Sequence, residues 1–150
     1  MIDMRKEQPL IIVADDSAAI REMLTDVLIE EGYRTTSCNS GTKALEHIRR
    51  ESPDLVILDM QMEHRNAGLA VLEQMRSEAS TKYIPVILYS ADSTVLTEKE
   101  PQIRAHRADV LFKPFGIDDL LGKVERMLRA RHKHVHPHFG SRASALEGLA

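Results

Sequence analysis

Short apolar runs punctuate this chain at intervals: Leu10–Ala14 (LIIVA), Leu55–Leu58 (LVIL), Val86–Ser90 (VILYS) and Val110–Phe112 (VLF). Runs this brief, rich in Val, Ile and Leu and without polar alternation, fit strands covered on both faces, as in a parallel sheet. A fifth segment, Tyr33–Cys38 (YRTTSC), is more polar and suits an edge strand. Between the runs the period changes. Ile20, Met23, Leu24, Val27 and Leu28 follow the spacing of one helix face, with Ser17 placed to cap the helix and Gly32 to stop it. Ala44, Leu45 and Ile48 predict a shorter helix that Pro53 closes off; Leu69, Leu72 and Met75 predict another. Ile117, Leu120, Leu121, Val124 and Leu128 repeat the first pattern near the end. In the fourth interval Pro101 stands mid-pattern, and proline inside a helix removes a hydrogen bond and clashes with the preceding turn. That interval predicts a helix that begins near Pro101 or is kinked there.

Five strands alternating with five helices give an α/β fold, a parallel sheet with helices on both faces. In such open sheets ligands sit beyond the carboxyl ends of the strands, at the point where strand order reverses. Those ends are chemically distinctive. The first strand runs into Asp15-Asp16, the third into Asp59, the fourth into Ser90-Ala91-Asp92 and the fifth into Lys113-Pro114. Taken singly, an Asp after a strand is a turn former or helix cap. Taken together, three carboxylates at one edge repel unless a cation joins them. Magnesium takes oxygen ligands and retains waters that a phosphate oxygen can replace. A metal, a lysine and a hydroxyl arrayed around one point suit a phosphoryl group in transfer, and Asp59 is a competent nucleophile for it.

Composition narrows the class. The chain has 150 residues, one-domain length, with 43% hydrophobic and 29% charged residues. Its formal charge of −3 argues against a strongly basic nucleic-acid-binding surface. A single cysteine, Cys38, cannot form an internal disulfide and reads as a core residue. No stretch reaches the roughly 20 apolar residues of a membrane span, and the N-terminus lacks a signal-peptide pattern, so a cytoplasmic protein is expected.

In order and spacing, IIVADDS, DLVILDM, IPVILYSAD and VLFKPF resemble the receiver domain of two-component response regulators, single-domain chemotaxis regulators among them. The resemblance covers residues 9–131. It implies a flavodoxin-like sheet of strand order 2-1-3-4-5 flanked by five helices. It also implies a phosphoryl group accepted on Asp59 from a histidine kinase, a histidine phosphotransfer protein or a small phosphodonor. Asp15 and Asp16 then match the acidic pair that holds Mg2+, with Mn2+ as a substitute, and Gln61 matches the position whose backbone carbonyl completes the metal site. Ser90 matches the switch hydroxyl, Lys113 the lysine that contacts the phosphoryl group, and Pro114 the proline that follows it. Ala91 matches a small position that admits the phosphodonor, and Gln61 and Asp92 match positions that tune hydrolysis of the acyl phosphate.

Three features depart from the family pattern. Val110 stands where an aromatic switch residue is usual; valine has no such rotor, which puts output by that route in question. In MQMEHRNAG, Glu63 replaces a common proline and Gly68 arrives one residue late, which predicts a loosened loop after Asp59. No output domain follows the last helix, so signalling is expected through contacts with a downstream protein, unless the chain is a fragment of a larger regulator. A homodimer through the fourth helix, fifth strand and fifth helix would follow family practice. The chain divides into an extension (1–8), the receiver (9–131) and a tail (132–150), expected to be flexible, in which His132, His134, His136 and His138 alternate. If extended, that tail would present all four histidines on one side. Two other functions compete: a receiver-fold interaction module indifferent to phosphorylation, favoured by Val110, and a phosphate-ester hydrolase. The hydrolase is disfavoured because Gln61 stands where a second, acid/base aspartate would be needed.

Overall fold

The computed structural model describes residues 8–112 and 115–139, with 131–139 as backbone only. Five strands alternate with five helices: β1 (Leu10–Ala14), α1 (Ala18–Glu30), β2 (Arg34–Cys38), α2 (Gly41–Glu51), β3 (Leu55–Asp59), α3 (Ala67–Arg76), β4 (Val86–Ser90), α4 (Ser93–Ala105), β5 (Asp109–Phe112) and α5 (Ile117–Phe139). The strands form one sheet of order β2-β1-β3-β4-β5 with every neighbouring pair parallel. This is the architecture the alternating pattern predicts, with the polar strand β2 at an edge.

The uninterrupted apolar runs have a direct explanation. Successive side chains of a strand point to opposite faces. Ile12, Ala14, Val56, Leu58, Val86, Leu88 and Val110 pack on one face against α2, α3 and α4. Their neighbours Ile11, Val13, Leu55, Ile57, Ile87, Tyr89 and Leu111 pack on the other against α1 and α5. Two cores share one sheet, so the middle of each inner strand is apolar and polar groups enter only near its carboxyl end.

Local signals place the helix ends. The Ser17 hydroxyl accepts from the Ile20 N–H, and the N–H groups of Gly32 and Tyr33 return to Ile29 and Leu28 carbonyls as the chain leaves α1. Gly32 has φ of +95°, which an L side chain rarely adopts. α4 overturns one of the two alternatives for its interval, a start near Pro101. It does not begin at Pro101 but at Ser93, capped by the Asp92 carboxylate, and runs through Pro101 to Ala105. Burial of Val95, Leu96 and Ile103 holds it against the sheet despite the lost hydrogen bond. α5 continues through the histidine-bearing segment to Phe139, so the extended geometry that would align the four histidines does not apply there. Cys38 is buried with its thiol near the Val13 carbonyl, and burial pushes its pKa up to about 11, an unreactive core position.

Candidate functional site

Strand order reverses between β1 and β3: from β1 the chain goes to one edge of the sheet, then returns to add β3 on the other side. The carboxyl ends of these two adjacent strands carry the acids. Ala14 pairs with Leu58 in the register, which sets Asp15 and Asp16 beside Asp59. Ligand oxygens of Asp15, Asp16 and Asp59 all lie within 4.8 Å of one another. Their environments differ. Asp15 is buried, Asp59 half-buried and Asp16 exposed, so the cluster forms a shallow acidic cup open to solvent at one side.

Hydrogen bonds hold the cup. One Asp15 oxygen accepts from the Ser17 N–H at 2.8 Å, and the Arg21 guanidinium donates to the Asp15 carbonyl at 2.7 Å. Asp59 Oδ1 accepts from the Gln61 N–H at 3.2 Å. The Gln61 side chain links to the next strand, its Oε1 accepting from the buried Ser90 hydroxyl at 3.3 Å. Ser90 Oγ in turn accepts from the Asp92 N–H at 3.0 Å, while the Asp92 carboxylate accepts from Thr94 N–H as the cap of α4. Asp15, Asp16, Asp59, Gln61, Ser90 and Asp92 are therefore contiguous, with Ala91 exposed between the last two. Lys113 and Pro114 lie outside the described residues.

A close backbone approach fixes Asp59. The Gly68 N–H donates to the Met60 carbonyl at 2.9 Å, and a Cβ on Gly68 would stand 2.5 Å from the Asp59 carbonyl oxygen. No side chain fits, so the start of α3 packs directly on the strand end that carries the carboxylate.

The sequence model of the family described as the response regulator receiver domain matches residues 11–125. The chain belongs to that family. Response regulator MprA of Mycobacterium leprae is 35% identical over 119 residues, which is 79% of this chain and 50% of that protein. The chain thus spans about half the length of the curated relatives it matches. Among solved structures, chemotaxis response regulator CheY4 of Vibrio cholerae superposes with a TM-score of 0.71 at 26% identity, covering 80% of this chain and 98% of that one. NtrX of Brucella abortus gives 0.74 at 29% identity, covering 85% of this chain but 28% of that one.

Two residues of this receiver site escape a reading by sequence. The first is Tyr89. Its ring is core, edge-on to Phe115 with centroids 6.2 Å apart, yet its hydroxyl donates to the second Asp15 oxygen. Burial, then the nearby Asp15 charge, push the phenol well above its ordinary value, so it is a permanent donor. An aromatic inside a buried strand reads as packing; nothing local reveals that its tip reaches a carboxylate 74 positions away.

The second is Glu63. The loop after Asp59, without its proline, gains a tie to a neighbouring helix. Glu63 reaches α2, where its carboxylate accepts from the Gly41 N–H at 2.8 Å and from Thr42 N–H at 3.2 Å. The free N–H groups and dipole of a helix start favour an anion there. Partial burial alone would raise the Glu63 pKa, but the hydrogen bonds from α2 outweigh it and hold the carboxyl below its ordinary value. A depressed folded pKa gives stability that is full above the unfolded pKa and lost as pH falls through the folded one. Glu63→Ala is therefore expected to cost about 1 kcal/mol or less at neutral pH, the side chain being exposed. The gap from wild type should close on acidification below the ordinary glutamate range, as read by urea melts across pH. A gap constant with pH would mean that the charge plays no part.

Val110 is buried and pairs with Leu88 in the β4–β5 register. It packs in the α2–α4 core, a small fixed apolar side chain where a rotating aromatic was absent from the sequence.

No helix among the described residues is long and apolar enough to cross a membrane.

Proposed function

We propose that this chain is a phosphorylatable receiver that takes a phosphoryl group on Asp59, in a reaction supported by a divalent cation, and signals through protein–protein contacts in the cytoplasm. The observation that carries the reading is the convergence of Asp15, Asp16 and Asp59 within 4.8 Å beside the Ser90 hydroxyl. The phosphodonor is a histidine kinase or histidine phosphotransfer protein, with small acyl phosphates as substitutes. Direct contact with nucleic acid is not part of the reading.

The donor set fits magnesium, with manganese as a substitute: it is all oxygen, rich in carboxylate, and self-repelling unless a cation joins it. Asp15, Asp16 and Asp59 would hold the ion, with the Gln61 carbonyl a further ligand. When bound, it supplies positive charge for the phosphoryl oxygens. An Asp59 oxygen attacks phosphorus; the new O–P bond forms as the donor's P–N or P–O bond breaks, and the leaving group departs with the electron pair and takes up a proton. Ser90 must release Gln61 to donate to a phosphoryl oxygen, which frees the Gln61 amide near the water that later hydrolyses the acyl phosphate. Asp92, beside Ser90, tunes that same hydrolysis. Lys113 adds a second positive charge at the phosphoryl group.

Incubation with acetyl phosphate and magnesium, followed by intact mass, tests the reading. An acid-labile phosphoryl adduct that fails to form in EDTA is expected; its absence with magnesium present would sink the proposal.

Tyr89 positions Asp15 in this scheme. Its hydroxyl donates to the carboxylate and so orients it, as outer partners of metal ligands do. Tyr89→Phe is expected to weaken Mn2+ binding by about 10–100-fold. Calorimetric titration with the metal alone reads the loss, and an unchanged affinity would reduce Tyr89 to a packing role.

The buried Val110 favours a second reading, a receiver whose partner contacts do not respond to phosphorylation. Equal partner affinity with and without beryllofluoride would select it over the first.

A further inference from the structure

A cavity with a largely apolar lining and a cationic rim lies near the amino ends of β4 and β5, away from the carboxyl ends that carry the acids. Its volume is about 250 Å3, and Arg76, Lys82, Tyr83 and Arg107 line it together with Met127 and Ala130 of α5. Three of these side chains are cationic and none is acidic. Among the described residues, arginine and lysine ion pairs involve Arg49, Arg50, Arg65, Arg104, Lys123 and Arg129, and none involves Arg76, Lys82 or Arg107.

Carbonyls hold the two guanidinium groups in place. Arg76 donates through Nε to the His106 carbonyl at 2.7 Å and through Nη1 to the Ile84 carbonyl at 2.8 Å. Arg107 donates through Nη2 to the Lys82 carbonyl at 3.0 Å. The Lys82 ammonium lies 5.2 Å from the centre of the Tyr83 ring. A guanidinium carries five N–H donors, so these bonds orient both groups and leave donors for a ligand. Partial burial, then the neighbouring Arg107 charge, lower the Arg76 pKa to about 10.

Position 107 carries a second feature besides its bond to the Lys82 carbonyl. α4 ends in a paired turn, the Ala108 N–H returning to Ile103 and the Arg107 N–H to Arg104. That motif requires a left-handed residue at position 107, where glycine is the unstrained choice. Arg107 adopts φ of +60° there. Side chains kept in this conformation against their steric preference concentrate at functional sites.

We propose that the Arg76–Lys82–Arg107 cavity binds the phosphate or diphosphate group of a small molecule. Paired guanidinium forks match the geometry of phosphate oxygens, and an ammonium adds a point charge beside them. The site is independent of the acidic cup, and its occupancy does not rest on the phosphorylation chemistry proposed above.

The test is thermal melting and calorimetry of the full chain in EDTA, with pyrophosphate against chloride at matched ionic strength. Wild type is expected to bind pyrophosphate and melt higher. Arg107→Gly should melt higher than wild type in chloride, because strain is relieved, yet bind pyrophosphate about tenfold more weakly. Lys82→Gln should weaken binding with little change of melting point in chloride. Asp59→Asn should keep the full pyrophosphate response. No pyrophosphate response in wild type, full responses in both Arg107→Gly and Lys82→Gln, or loss of the response in Asp59→Asn would each overturn the proposal.

Discussion

Replacing Asp59 with asparagine is expected to abolish the acid-labile phosphoryl adduct outright. An amide oxygen is a poor nucleophile and cannot form the acyl phosphate. Neighbouring acids do not take over. Both Asp15 oxygens are engaged, one by the Ser17 N–H and one by the Tyr89 hydroxyl. Asp16 is exposed and lacks the backbone anchoring that holds Asp59 at the strand end. The same substitution removes one of three like charges gathered within 4.8 Å. Each such pair costs about 1 kcal/mol even at the dielectric of water, so Asp59→Asn should melt higher than wild type in EDTA. The variant thus gains stability as it loses chemistry, which separates an effect on the site from damage to the fold. Intact mass after acetyl phosphate and magnesium reads the first, and a thermal melt reads the second. An adduct of equal yield on the variant would remove Asp59 from the mechanism.

Gly68→Ala is expected to be strongly destabilising. Helix propensity alone predicts a gain of up to about 1 kcal/mol, since Gly68 lies in the first turn of α3. Sterics predict the reverse. The new methyl would lie 2.5 Å from the Asp59 carbonyl oxygen and 2.9 Å from Met60 Cα, and backbone atoms cannot step aside as a side-chain tip can. A third contact, 2.7 Å to Leu88 Cδ2, falls in the core. Overpacking of this kind costs about 1–3 kcal/mol, and the backbone clashes place it in the upper part of that range, so sterics win. The urea midpoint should fall, and the phosphorylation rate should fall with it, because relief of the clash displaces the strand end that presents Asp59. A midpoint equal to or above that of wild type would contradict the close approach.

Much of this was readable in the sequence, for a physical reason. Inner parallel strands are covered on both faces, so Leu10–Ala14 and Leu55–Leu58 announce themselves as unbroken apolar runs, and the residue that follows each is forced to one edge. Asp15, Asp16, Asp59 and Ser90 could therefore be brought together from chain order alone. What escaped was pairing across long stretches of chain. Glu63 reads as a loop charge, and only the fold sets it against the N-terminus of α2. Tyr89 reads as core, and its hydroxyl finds Asp15 only because β4 lies one strand beyond β3. At Pro101 only one of the two alternatives fails: the helix does not start there but passes through it. Its local cost is real, but Val95, Leu96 and Ile103 bury enough apolar surface to keep α4 in one piece.

That proline has a mechanical consequence. It has no N–H, so the Thr97 carbonyl, four residues earlier, receives no hydrogen bond from position 101 and the ladder of α4 has a missing rung. The turns that start beside Asp92, next to the site, are thereby less stiffly joined to the turns that end at the cationic cavity. α4 behaves as a rod with a built-in soft joint. Motion imposed at the Ser90 end can be absorbed as bending partway along the rod rather than delivered whole to its far end.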